Sequence, residues 1–239
     1  NRQAGCANPA QKVQPIATDQ CTIRIDLYRF EKRINRSTQI SHGGRQTQKL
    51  VNPHPKSSSD VAVALPGGQF GQPAPLTKAE IADLVERWAL AARVCKDAGF
   101  TGVQVHGAHG YLIDTFFWEG TNERDDEYGG ALEERTAFAV EIIEKARAAV
   151  GKDFPLIIRI SQWKQQDFEH KMATDPEKLK AFLKPMVDAG IDCFDCSTRR
   201  FWEPEFEGSD LNFAGWTKQL TGLPTITVGS VGLSGEFVA

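Results

Sequence analysis

At 239 residues, with 41% hydrophobic and 25% charged side chains and a net charge of −3, the chain has the make-up of an ordinary globular protein with room for one barrel or two smaller domains. The balanced charge gives no electrostatic case for nucleic acid or an anionic membrane surface as a main partner, and no stretch approaches the roughly 18 uncharged apolar residues of a membrane span. The polar N-terminus shows no signal-peptide core, and the five cysteines, an odd number without framework spacing, point to a reducing, cytoplasmic setting.

Residues 1–33 stay unassigned. Ile23, Ile25 and Leu27 alternate with Arg24 and Asp26, the pattern of a half-exposed strand. A strand of a parallel barrel is apolar on both faces, so this segment is not expected to belong to one. Residues 34–239 read as the barrel domain. From Thr38, TQISHGGRQTQ has the form of a strand end running into a glycine turn, and a long loop follows through NPHPKSSSD and GQPAP. Loops beyond roughly 15 residues are usually functional or disordered.

Thr77 and Glu80 form a capping box that opens a helix. Ile81, Leu84, Val85, Trp88, Ala92 and Cys95 lie along its inner face, Gly99 ends it, and the strand TGVQV follows at once. A second helix carries Leu132, Ala139, Ile142, Ile143, Ala146 and Val150, ends at Gly151, and leads into the strand FPLIIRI. Asp175 and Pro176 are an N-cap and first-turn pair for a third helix through Leu179, Phe182, Leu183 and Val187, with Pro185 as a kink or weak point. The strand IDCFDCS, a shorter helix from Leu211 to Leu220 and the strand PTITV complete the alternation, and PTITV runs into Gly229-Ser230-Val231-Gly232. Strands alternating with helices define βαβ units and a parallel sheet. With five strands and four helices recognisable after residue 34, the expected fold is α/β, a (β/α)8 TIM barrel that is incomplete.

Chemistry concentrates after TGVQV. Gln104 and His106 share one strand face and Val103 and Val105 the other, so His106 is expected at the inner rim of the strand's C-terminal end. Gly107, Ala108 and Gly110 keep the backbone close and bring His109 and Tyr111 to the same rim. In PLIIRIS, Ile157, Arg159 and Ser161 point one way and Leu156, Ile158 and Ile160 the other. A buried arginine there needs an acceptor, either a bound polar or anionic ligand or an acid from another strand. Backbone N–H groups after a late strand, here Gly229 to Gly232, can cradle a phosphate. Cys193 and Cys196 form a lone CxxC without a second ligand pair, which favours strand packing over metal.

HGAHGYLIDTFFWEGTNERDDEYGG resembles the signature of the old yellow enzyme family, FMN-dependent NAD(P)H:flavin oxidoreductases and ene-reductases on a (β/α)8 barrel. QISHGGRQ, FGQPAPLTKAEI, FPLIIRIS and LPTITVGSVG extend the resemblance over residues 38–239 in the family's order. The resemblance implies FMN as cofactor, NAD(P)H as reductant and a small activated alkene as substrate. It implies that Gln39 bonds the flavin pyrimidine edge, that Arg159 faces flavin N1 and O2, and that Gly229 and Ser230 build part of the phosphate site. By the same resemblance His106 and His109 bind the substrate carbonyl oxygen, Tyr111 donates the proton, and a homo-oligomer stays open.

The family's first two barrel strands and the Gly-Arg of its last strand find no counterpart. Ile34-Asn35-Arg36-Ser37-Thr38 stands where the family has an apolar strand. The chain is therefore expected to be a fragment of a longer reductase that binds FMN weakly or not at all by itself. Two alternatives stay open: an inert barrel fragment, and a metal-dependent barrel hydrolase with His106 and His109 as ligands.

Overall fold

The computed structural model describes residues 24–27 and 37–233. Cys6, Cys21 and Ile23 lie outside the described residues. In chain order the strands are β1 (Arg24–Leu27), β2 (Ser37–Ser41), β3 (Lys56–Ser57), β4 (Ala74–Pro75), β5 (Gly102–Gly107), β6 (Leu156–Ser161), β7 (Cys193–Ser197) and β8 (Thr225–Val228). The helices are α1 (Lys78–Asp97), α2 (Leu112–Phe117), α3 (Ala137–Val150), α4 (Pro176–Asp188) and α5 (Phe213–Thr221). The main sheet has the order β1-β2-β5-β6-β7-β8, and every pair from β2 to β8 is parallel. The α/β partial-barrel expectation therefore holds, with one helix more than the periodicity revealed. That helix is α2, six residues long and all buried, which has no amphipathic stripe to read. β1 pairs antiparallel with β2, consistent with its alternating sequence.

α1, α4 and α5 begin where the sequence supplies a side-chain cap, whereas α2 and α3 start without one. The Thr77 side chain accepts from Glu80 N–H at 3.2 Å, and Glu80 accepts from Thr77 N–H at 2.9 Å. Asp175 and Asn212 cap α4 and α5 in the same way, accepting from Lys178 and Gly215 N–H. α4 runs through Pro185 to Asp188, so Pro185 removes one internal N–H donor without ending the helix.

The strand periodicity of two sorts the sheet into two faces. Ile40, Val103, Val105, Leu156, Ile158, Ile160, Phe194 and Cys196 are at most 1% exposed and share one core with the inner faces of the helices. Trp88 of α1 meets Phe138 of α3 edge-on at 5.9 Å in that core. Each such apolar side chain removed from water is worth about 1.5–3 kcal/mol. The opposite face carries Gln39, Gln104, His106, Arg159, Asp195 and Ser197, and Ile226 in the same row is 43% exposed. The apolar core thus lies on the helix side, and the other face carries the polar side chains.

The long loop after β2 is ordered. β3 and β4 pair in parallel within it, and Ser58 Oγ lies 2.8 Å from the carbonyls of Thr115 and Thr121. Arg124 donates from Nη1 to the carbonyls of Ser58 and Leu76 while its other edge forks onto Asp126. Arg45, 1% exposed, donates to Val61 O and Ala62 O. These side-chain-to-backbone bonds hold the loop where the short β3–β4 ladder does not reach.

Candidate active site

β5 ends in His106-Gly107, and the chain turns through Ala108-His109-Gly110 into Tyr111, the N-cap residue of α2. His109 has φ +62° and Gly110 φ +78°, two consecutive left-handed residues. The φ of Gly110 favours glycine, and a Cβ there would lie 2.5 Å from Gln46 Nε2 and displace the amide that bonds the His109 carbonyl. His109 has no such freedom, and a left-handed non-glycine residue costs roughly 1–2 kcal/mol. Four contacts hold it there. Its N–H donates to Ser161 Oγ at 3.0 Å, and its carbonyl accepts from Gln46 Nε2 at 2.7 Å. Its Nε2 lies 2.9 Å from Ser197 Oγ, and its ring stacks on Trp163 at 4.5 Å. Strain retained by its surroundings is a mark of functional loops.

The turn gathers the predicted residues. The His106 ring lies 5.3 Å from that of His109 and 5.0 Å from that of Tyr111. Register places Arg159 beside His106 and Asp195 beside Arg159, all on the polar face. Arg159 Nη2 donates to Ser197 Oγ at 3.1 Å, the hydroxyl that also meets His109. Gln39 donates to Gln104 Oε1, and Gln104 donates to Asp195 Oδ2 at 2.7 Å. Gly229 and Ser230 follow β8 at the same end of the sheet. A Cβ at Gly229 would lie 2.6 Å from the Thr198 carbonyl, and Ser230, also left-handed at φ +54°, donates from Oγ to Arg199 O.

Burial lowers the His106 pKa to about 3, with Arg159 adding to the effect. Burial also takes His109 to about 3, helped by His106, Arg159 and Lys164. Both imidazoles are neutral at pH 7, each with one N–H donor. His106 Nδ1 is buried without a protein partner among the described residues. Between about pH 3 and 6.5 the unfolded chain binds protons that the folded chain does not, so stability rises with pH. The two histidines' contribution is complete above about pH 6.5 and lost as pH falls towards 3. Thermal unfolding midpoints should drop from pH 7 to pH 5, and the drop should shrink in His106→Asn; a flat profile would contradict the assigned burial.

Several residues of the site escaped sequence reading. Asp114 in α2 and Lys164 after β6 form an ion pair at 2.6 Å with both side chains fully buried. Asp114 Oδ2 also accepts from Gly110 N–H at 2.6 Å, tying the pair to the left-handed turn. Burial pushes the Asp114 carboxyl up and the Lys164 ammonium down, and their mutual contact opposes both shifts. Trp163, Ser197 and Gln46 hold His109 without standing out in sequence, and Ser161, which strand alternation places on the Arg159 face, holds it too. Asp195 had a readable signal, since in DCFDCS it falls in phase with Cys193 and Ser197.

Cys193 and Cys196 lie on opposite faces of β7, so the CxxC cannot close on one metal or on itself. Burial raises their thiols to about 11 and about 12. Among the described residues no group of three or more His, Cys, Asp and Glu is placed to hold a metal, and no helix is long and apolar enough to cross a membrane.

Parallel strands in sequential order, helices packed on one face and a polar cluster at the C-terminal strand ends are the arrangement of a TIM-barrel enzyme, incomplete in this chain. The sequence pattern of the NADH:flavin oxidoreductase / NADH oxidase family matches residues 36–235, and the chain belongs to that family. It is 39% identical over 149 residues to the putative 12-oxophytodienoate reductase-like protein 1 of Arabidopsis thaliana, covering 61% of this chain and 45% of that protein. With the NADH oxidase of Thermoanaerobacter brockii it shares 35% identity over 203 residues, 81% of this chain and 30% of the other. The old yellow enzyme homologue of Zymomonas mobilis superposes with a TM-score of 0.66 at 26% identity, over 83% of this chain and 57% of that one. The matched region thus spans about half, or less, of these curated relatives' length.

Proposed function

We propose that the chain carries the substrate-activating half of an FMN-dependent ene-reductase, which reduces the C=C bond of α,β-unsaturated carbonyl compounds with NAD(P)H. The observation that carries this reading is the cluster of two neutral histidines and a tyrosine at 5.3 and 5.0 Å, set beside Arg159. The names of reductase and NADH oxidase relatives support the reaction class.

The residues present fit a flavin. Arg159 Nε is buried, with no hydrogen-bond partner among the described residues. Of the two acceptors open in sequence, the acid exists: Asp195 Oδ2 lies 3.9 Å from Nε, close enough for charge but too far for a hydrogen bond. A donor remains for a carbonyl or ring nitrogen, as the flavin pyrimidine edge offers, with Gln39 one strand beyond β5. Gly229 and Ser230 would hold part of the phosphate through backbone N–H groups. When bound, FMN supplies the hydride that it receives from NAD(P)H.

The remaining chemistry belongs to the chain. His106 and His109 donate N–H bonds to the substrate carbonyl oxygen and stabilise the negative charge that develops there. Their neutrality makes them donors without a competing proton transfer. Tyr111 delivers its phenolic proton to the α-carbon. Trp163 behind His109 and Ser197 at its Nε2 keep the donor oriented.

The polar face is open at Ile226, 43% exposed, so we infer that this chain alone holds FMN weakly. With FMN added in excess, enone-dependent oxidation of NADPH or NADH should be measurable. No turnover at any FMN concentration would favour an inert fragment, and zinc-dependent, FMN-independent hydrolysis would favour the metal reading. A purified sample that is yellow with near-stoichiometric flavin would refute the weak-binding inference alone.

A further inference from the structure

We propose that Asp195 is a positioning residue whose charge, set beside Arg159, lowers the site's preference for reduced over oxidised FMN. The inference rests on the proposed reading of Arg159 as a flavin contact and goes beyond it by assigning a role to a carboxylate outside that reading. Asp195 is 6% exposed and sits in the row of His106 and Arg159 on the polar face. Its Oδ2 accepts from Gln104, which in turn accepts from Gln39, so the carboxylate anchors both glutamines. Its Oδ1 is buried with no partner among the described residues, as is Arg159 Nε.

The spacing decides what such a pair can do. A carboxylate in forked contact would occupy the guanidinium donors and remove them from any ligand. At 3.9 Å the hydrogen bond is gone, whereas Coulomb attraction falls only as the inverse of distance. Arg159 therefore keeps a donor edge for a ligand while part of its charge is offset. Burial pushes the Asp195 carboxyl up, and Arg159 and Gln104 work against that shift.

Two-electron reduction of FMN with uptake of one proton leaves a negative charge at the N1–C2=O edge. Arg159 favours that charge and Asp195 opposes it, so removing the Asp195 charge should tighten binding of the reduced form selectively.

Asp195→Asn is nearly isosteric and keeps an oxygen for Gln104. Dissociation constants for oxidised FMN and for dithionite-reduced FMN, measured anaerobically by calorimetry on the 239-residue protein, give the ratio directly. In Asp195→Asn the ratio of oxidised to reduced constants is expected to rise about tenfold, which is about 30 mV for a two-electron couple. Asp195→Glu, which keeps the charge, should stay within about twofold of the wild type. Should Asp195→Asn not fold, Asp195→Ser tests the same sign. An unchanged ratio, with both forms weakened together, makes Asp195 merely structural and overturns the inference while the flavin reading stands. A wild-type chain that binds neither form overturns the inference together with the weak-binding reading and leaves the inert fragment.

Discussion

Asp114→Ala is expected to lower the stability of the folded chain by about 3–5 kcal/mol, read as a fall in the denaturation midpoint at constant slope. The substitution leaves the Lys164 ammonium fully buried without its counter-ion. It also strips Gly110 N–H of its acceptor, a loss of about 1–3 kcal/mol in its own right. The effect is large because one carboxylate satisfies two demands. Asp114→Asn combined with Lys164→Met should recover most of the loss, since the amide oxygen still accepts from Gly110 and the thioether fills the lysine's space without charge. A change below about 1 kcal/mol in Asp114→Ala would mean that water reaches Lys164 and that the pair is not sealed.

His109→Ala is expected to reduce kcat/KM for FMN-dependent enone reduction by about 10²–10³-fold, the usual effect of removing one oxyanion donor. His109→Asn should stay within about tenfold of wild type, for two separable reasons. Asparagine is among the few residues that tolerate a φ of +62°, and its side-chain amide offers an N–H donor in place of the imidazole. Equal losses in the two variants would show that the ring, stacked on Trp163, matters rather than its hydrogen bond.

Much of the fold was legible because its signals are local. The capping box at Thr77, the Asp175–Pro176 start of α4 and the continuous apolar strands each state their own structure. His106, His109 and Tyr111 were readable for the same reason: they lie within six residues of one strand end. The partners that hold them were not. Ser161, Trp163, Lys164 and Ser197 reach His109 or its turn from β6, β7 and the loop after β6, and no local pattern encodes that register. The order of the loop after β2 was hidden likewise, since Ser58 and Arg124 fix it by bonds to backbone more than forty residues away. Arg159 lies between these cases. Its need for an acceptor was plain from its strand, but Asp195 could be found only once β6 and β7 were aligned.

The antiparallel course of β1 bears on how the sheet ends. A strand has two hydrogen-bonding edges, and β2 already gives one to β5. A closed barrel would need the other edge for a parallel strand, and β1 occupies it. Sealing and closure therefore compete for one row of N–H and C=O groups. While β1 is docked, the β2 edge is covered and the free edge is β1's own, only four residues long, and the ring cannot be completed through β2. Any assembly that finishes the barrel around this chain must first lift β1 away.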